Sequence, residues 1–302
     1  MTRPGWSSWF VLSVLAVSPC GAQQALGDAW WTGSVQAAGA ATLPAGHILF
    51  EPYVYDVIAD HSQTFTSRTY LIYGLVDRVS VGVIPIVGYD AVSGAPSSSR
   101  PGFEDLTAQA QYRLTQFHGG SWVPTTSFLV QETFPTGTYD RLGDRASNGF
   151  GAGTYTTTLA LYSQTYFWMP NGRIVRARFD VQQTVLSTRV PIADASVYGT
   201  AAGFRGHAAP GSSTFVDLAG EYSLTRNWVL ALDANYGRNG DTRVVGSGTV
   251  RHTGSGEAIG FTPAVEYNWT AGVGIIVGAR AIEIGRNTAR TVTPVVALNV
   301  VH

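Results

Sequence analysis

Between Asp105 and Leu114 apolar and polar residues alternate without a break. Leu106, Ala108, Ala110, Tyr112 and Leu114 share one phase; Asp105, Thr107, Gln109, Gln111 and Arg113 share the other. A period of two is the signature of a strand whose two faces meet different surroundings. The same pattern recurs along the chain. Val175, Ala177, Phe179 and Val181 oppose Arg176, Arg178, Asp180 and Gln182; Trp228, Leu230, Leu232 and Ala234 oppose Val229, Ala231, Asp233 and Asn235. Helical periodicity is almost absent. The alternation predicts twelve strands, near 47–58, 67–75, 78–89, 103–114, 124–134, 150–168, 173–185, 213–223, 228–237, 257–269, 273–284 and 290–302. Many reach ten residues or more, against about 5–6 in a soluble sheet and about 9–11 for a strand that crosses a membrane.

The connections alternate too. Long ones fall near 59–66, 90–102, 135–149, 186–212, 238–256 and 285–289, and short ones near 76–77, 115–123, 169–172, 224–227 and 270–272. An up-and-down transmembrane β-barrel, antiparallel and all-β, with short periplasmic turns and long extracellular loops, produces this order. A bilayer accepts only closed hydrogen bonding, so every strand edge must be paired. Pro52, Pro85, Pro263 and Pro294 fall inside strand patterns and lack an amide donor, which predicts strand ends or bulges at those points. A two-residue Asn171-Gly172 turn would pair opposite phases, so that hairpin needs a bulge or a three-residue turn.

Aromatic residues gather at the short-turn ends: Trp122, Trp168, Trp228 and Trp269, with Tyr112, Tyr222 and Tyr267. A ring with an apolar body and a polar tip suits a bilayer interface, and the group reads as one aromatic girdle. The polar phase then lines the lumen. It comprises Glu51, Asp105, Gln109, Arg113, Arg176, Arg178, Asp180, Asp217, Glu221, Asp233, Glu266 and Arg280. The Ser-Leu-Thr-Arg-Asn turn places Asp217 opposite Asp233, with Arg176 and Arg178 near enough to neutralise them.

Composition agrees with a lipid-facing wall. The chain of 302 residues is 45% hydrophobic but only 13% charged, about half the usual share. All 19 basic residues are Arg and the net charge is −1. Abundant aromatics argue against disorder, the lack of a long apolar run against membrane helices, and the scattered Arg against a nucleic-acid partner. The first residues read as a secretory signal peptide, 1–22: Arg3, an apolar core Phe10–Val17, and small residues ending at Ala22. A lipidated Cys20 is the competing reading. Cys20 is the one cysteine, and no Cys/His cluster suggests a zinc site. Residues 23–45, with Trp30 and Trp31, form an N-terminal segment that is either periplasmic or turned into the lumen, and 46–302 form the barrel.

Several short motifs occur in a particular order: Leu43-Pro-Ala-Gly-His47, Glu51-Pro52-Tyr53, Gly102-Phe-Glu-Asp-Leu106, Phe134-Pro-Thr-Gly137, Val197-Tyr-Gly199, and Glu221-Tyr-Ser-Leu224 with Asn227-Trp228. In these the chain resembles the outer-membrane proteins of the meta-pathway of phenol degradation, across nearly the whole sequence after residue 22. Glu104 stands where Gly is more usual before the Asp, and His302 where a terminal aromatic is usual. The resemblance implies a transporter-like β-barrel that takes up small aromatic or hydrophobic solutes. The expected setting is the outer membrane of a Gram-negative-type bacterium, as a monomer in lipid, placed there by the barrel-insertion machinery. No cofactor, metal or catalytic residue is expected. Two other readings remain: a structural or ligand-binding barrel without transport, and an outer-membrane hydrolase. The second lacks a visible nucleophile–base pair among Ser80, Ser163 and the six histidines. Gly149-Phe-Gly-Ala-Gly153 is not a phosphate loop, since neither a helix nor a Lys follows.

Overall fold

A computed structural model describes residues 23–302; the expected signal peptide, 1–22, lies outside the described residues. The wall is built from twelve antiparallel strands: β1 (Ile48–Ile58), β2 (Ser62–Val76), β3 (Val79–Ile84 and Ile86–Val92, divided at Pro85), β4 (Leu106–Thr115), β5 (Thr125–Phe134), β6 (Thr156–Trp168), β7 (Ile174–Ser187), β8 (Ser213–Ser223), β9 (Trp228–Asn239), β10 (Gly256–Thr270), β11 (Val273–Arg286) and β12 (Thr291–Val301). Each strand pairs with its neighbour in sequence, and β1 pairs with both β2 and β12, so the sheet closes without a free edge.

The alternation decides which way each strand faces. In β7 Arg176, Arg178 and Asp180 are buried, while Phe179 is exposed on the outer surface. In β8 to β12 Leu218, Leu232, Val265, Val277 and Val296 are likewise exposed. An apolar outer band over a polar interior is the inverse of a soluble protein, and it is what a bilayer solvent selects.

The three-residue turn expected at Asn171-Gly172 is present. Trp168 pairs with Ile174, and Met169 N donates to the Arg173 carbonyl at 2.8 Å. Gly172 takes the left-handed backbone at φ +78°, which an L side chain would resist.

Some expectations fail. The connection expected at 59–66 is only three residues, because β2 starts at Ser62; Ala59 N donates to the Ser62 carbonyl at 2.9 Å. Residues 150–155 belong to a loop rather than to β6. The prolines were expected at strand ends or bulges, yet Pro52 and Pro263 lie well inside β1 and β10. Each pairs fully on one side and faces a ladder gap on the other. Glu51 and Pro52 fall between the Phe50–Val300 and Tyr53–Ala297 pairs, and Thr262 and Pro263 between Phe261–Ala281 and Ala264–Gly278. A missing amide is tolerated where no partner requires it.

At the long-loop end, two connections build a separate small sheet from Val190–Ile192, Gly206–Ala209, Arg243–Gly246 and Thr249–His252. Val190, Ile192, Ala208 and Val244 form its own buried cluster, against which Tyr139, Tyr198 and Phe204 pack.

Candidate functional site: a lumen with two arcs

The N-terminal segment enters the barrel. It begins at the short-turn end, where Gln24 N donates to the Gly172 carbonyl and Trp30 N to the Arg226 carbonyl, each at 2.9 Å. It then rises along β10, β9, β7 and β6 by donating its amides to their inward side chains. Glu266 Oε2 accepts from Thr32 N at 2.7 Å and Gly33 N at 3.2 Å. Asp233 accepts from Val35, Gln36 and Ala37 N at 3.3, 3.2 and 3.1 Å. Asp180 accepts from Ala38 N at 2.6 Å, and Gln164 Oε1 from Ala40 N at 3.2 Å. The segment returns to the short-turn end at Leu43, whose N donates to Ser80 Oγ at 2.9 Å. Carboxylates that accept several backbone amides fix the path of an otherwise irregular chain. Gly274 allows the close approach: a Cβ there would collide with Thr32 Oγ1 and with Asn268.

Arginines complete this acidic arc. Arg176 makes a two-pronged contact with Glu221, Arg178 Nε lies 3.1 Å from Glu221 Oε2, and Arg178 Nη1 donates to the Ala37 carbonyl at 2.8 Å. The sequence-based pairing is corrected here. Asp217 stands opposite Asn235 and Asp180, not Asp233, and both arginines serve Glu221. The hairpin register is shifted by two residues from the one the turn suggested.

The other arc is open. A cavity of about 500 Å³ lies between the segment and the inner face of β1 and β2. Tyr53 and Tyr55 stack at 5.7 Å with their planes 9° apart, and Tyr70 meets Tyr53 edge-on at the same distance. Arg68 and Arg280 also border this space. Arg68 is exposed although it points inward, and among the described residues it makes no ion pair. Arg280 Nη2 donates to Asn235 Oδ1 at 2.6 Å. Glu51 is on the same wall and accepts from Asn299 Nδ2 at 3.0 Å.

Of the twelve residues assigned to the lumen, Glu51, Gln109, Arg178 and Arg280 border this cavity. Arg176, Asp180, Asp217, Glu221, Asp233 and Glu266 are buried along the acidic arc. Arg113 borders a smaller cavity beside Trp31 and Phe117. Asp105 departs from its assignment. It precedes β4, and its carboxylate accepts from Gly137 N at 2.8 Å and Ala152 N at 2.7 Å, so it ties two loops together. Nearby, burial pushes the Glu104 carboxyl up, against the pull of the Arg68 charge.

In the aromatic group, Trp228, Tyr267 and Trp269 face outward and touch in series, at 4.7 and 5.4 Å. Tyr112 is exposed, Tyr222 accepts from Asn171 Nδ2 at 2.8 Å, and Trp122 projects from the 116–124 turn. Trp168 does not join them. It shares the inward phase of Tyr162 and Gln164, and its Nε1 donates to the Gln24 carbonyl at 2.7 Å. Sequence reasoning missed Tyr53, Tyr55, Arg68 and Tyr70. The first two share the phase of Glu51 and could have been found from it; Arg68 and Tyr70 fall inside the expected strand 67–75, whose start, Ser67-Arg68-Thr69, has no apolar alternation to set its phase.

Ser80 Oγ is occupied by the Leu43 amide, and His61, His118, His207 and His252 lie outside the barrel strands.

A closed twelve-stranded barrel, apolar outside and polar within, defines the class of outer-membrane β-barrels. The chain belongs to the family described as "Putative MetA-pathway of phenol degradation", which matches residues 32–293. Among solved structures, an outer membrane channel from Pseudomonas putida F1 is similar over 89% of this chain and 100% of its own, at 16% identity and a TM-score of 0.67. The translocator domain of the autotransporter NalP from Neisseria meningitidis covers 84% of this chain and 87% of its own, at 10% identity and a TM-score of 0.46. No curated protein matches the chain.

Proposed function

We propose that this protein is an outer-membrane channel for small aromatic or hydrophobic solutes. In this reading 46–302 form the barrel, 23–45 its lumenal plug, and 1–22 the export signal. The observation that carries it is the cavity of about 500 Å³ inside a closed wall, bordered by three tyrosines and by a cationic side chain left free. Cavities that take small organic ligands usually span about 300–1,000 Å³ and combine apolar surface with a few placed polar groups. The family description, with its link to phenol degradation, points to the same solutes. The long loops then face the outside and the short turns the periplasm. The chain works as a monomer in lipid, and the alternating strand β12 is what the insertion machinery engages.

A planar bilayer experiment with the purified protein tests this. Discrete current steps, and entry of benzyl alcohol into loaded liposomes faster than into empty ones, are the expected result. A second reading, a ligand-binding barrel without transport, is favoured by the dense bonding of the plug to Glu266, Asp233 and Asp180. It predicts a silent bilayer and solute entry equal to that of empty liposomes.

A further inference from the structure

We infer that the open arc is a binding site for small aromatic anions, a single ring carrying one carboxylate, with Arg68 and Arg280 as its charge partners. The inference rests on the channel reading and narrows its solute class.

Charge is segregated across the lumen. On β7 to β10, Glu221 is held by two arginines, and Asp180, Asp233 and Glu266 by backbone amides of the plug; Asp217 is buried without a hydrogen-bond partner, but it does not border the cavity. That cover leaves little negative charge facing the cavity. The cationic side has no such cover. Arg68 is water-exposed inside the barrel and makes no ion pair among the described residues, although the Glu104 carboxyl lies close enough to feel its charge. Arg280 spends one donor on Asn235, while its Nε is buried without an acceptor. A buried guanidinium with an unfilled donor is costly, and a bound carboxylate would fill it. Glu51 is the carboxylate that borders the cavity, and Asn299 already donates to it.

The tyrosines supply the rest of the specificity. Tyr70 stands edge-on to the Tyr53–Tyr55 stack, so the wall offers both faces and edges at the separation that aromatic pairs prefer. A ring can pack there while its carboxylate turns to the guanidinium fork, which matches carboxylate geometry. A neutral aromatic would gain the ring contact only. A cationic one would meet two like charges.

The test uses the full-length barrel in detergent and three probes of one shape: benzoate, benzyl alcohol and benzylamine. Equilibrium dialysis of labelled probe should show benzoate bound at least about tenfold more tightly than benzyl alcohol, with benzylamine weakest. Arg68→Gln and Arg280→Gln should each weaken benzoate by about tenfold and leave benzyl alcohol within about twofold. Folding is read from the mobility shift between unheated and boiled samples on a gel. If Arg280→Gln fails to fold, the solvent-exposed Arg68→Gln decides alone. Equal binding of the three probes, or unchanged benzoate affinity in Arg68→Gln, overturns the inference. The two readings fail separately. Passage of benzyl alcohol without preferential benzoate binding leaves the channel and removes the anion site. Benzoate binding without passage of any probe through the bilayer removes the channel and leaves the site.

Discussion

Two arcs of one barrel wall face each other across the lumen, and they treat charge in opposite ways. On β7 to β10, Asp180, Glu221, Asp233 and Glu266 are buried and bonded to arginines or to the N-terminal segment. On β1 and β2, Arg68 and three tyrosines border open space. Both arcs come from the same alternation of polar and apolar residues. The difference lies in what fills the lumen. An unpaired carboxylate buried in a dry interior is expensive, so the acidic arc needs the plug as much as the plug needs the arc. Arg68 on the cationic arc stays wet and escapes this penalty, which leaves its charge available to a solute.

Removing the plug should produce the largest effect. Deleting Thr32–Ala41 empties the space beside the acidic arc and exposes Glu266, Asp233 and Asp180 to water. Conductance in planar bilayers should rise several-fold, and selectivity should turn toward cations, because the uncovered charge is negative. Unchanged current and selectivity would mean that solutes do not pass by way of this lumen.

Next is the ion-pair centre of the acidic arc. Glu221→Gln leaves Arg176 and Arg178 buried without their counter-ion. Breaking a buried pair from one side costs about 3–5 kcal/mol. The temperature at which the compact gel band disappears should fall clearly. A smaller change is expected at the point of closest approach. Gly274→Val sets a branched side chain against Thr32 and Asn268, so the plug must shift. Overpacking of this kind costs about 1–3 kcal/mol. A cysteine placed at Ala37 should then react faster with a water-soluble maleimide than the same cysteine with Gly274 intact.

The fold was readable because lipid enforces a period of two over long strands, and all twelve strands follow from it. The acidic arc was half readable. Parity put Asp180, Glu221, Asp233 and Glu266 inside, but no local signal says that the amides of residues 32–38 would satisfy three of them. Those contacts join residues about 140–235 positions apart in sequence. Asp105 and Trp168 show the limit of parity: their phases point inward, but a loop amide and the Gln24 carbonyl decide what they do. Arg68 was missed for a different reason. It lies inside the expected strand 67–75, but its neighbours Ser67 and Thr69 are polar too, so no alternation marks its face; the polar residues 62–66 before it, which resemble a loop, continue β2 in the same way.

Arg68 therefore gives the smallest and sharpest contrast. Its guanidinium makes no ion pair among the described residues and is exposed to lumenal water. Losing it should cost the fold little, since surface-type substitutions away from caps and buried networks stay within about 0.5 kcal/mol. Arg178→Gln is the matched control on the other arc. It removes a cation of the same chemistry, but one bonded to Glu221 and to the Ala37 carbonyl, and it should destabilise by several-fold more than Arg68→Gln. The comparison is made on one gel series, with melting of both variants followed against the parent. If Arg68→Gln melts as early as Arg178→Gln, Arg68 is a structural charge and the two arcs do not differ in kind. If it melts with the parent, the charge on the open arc is free of the fold and its role lies with whatever enters the lumen.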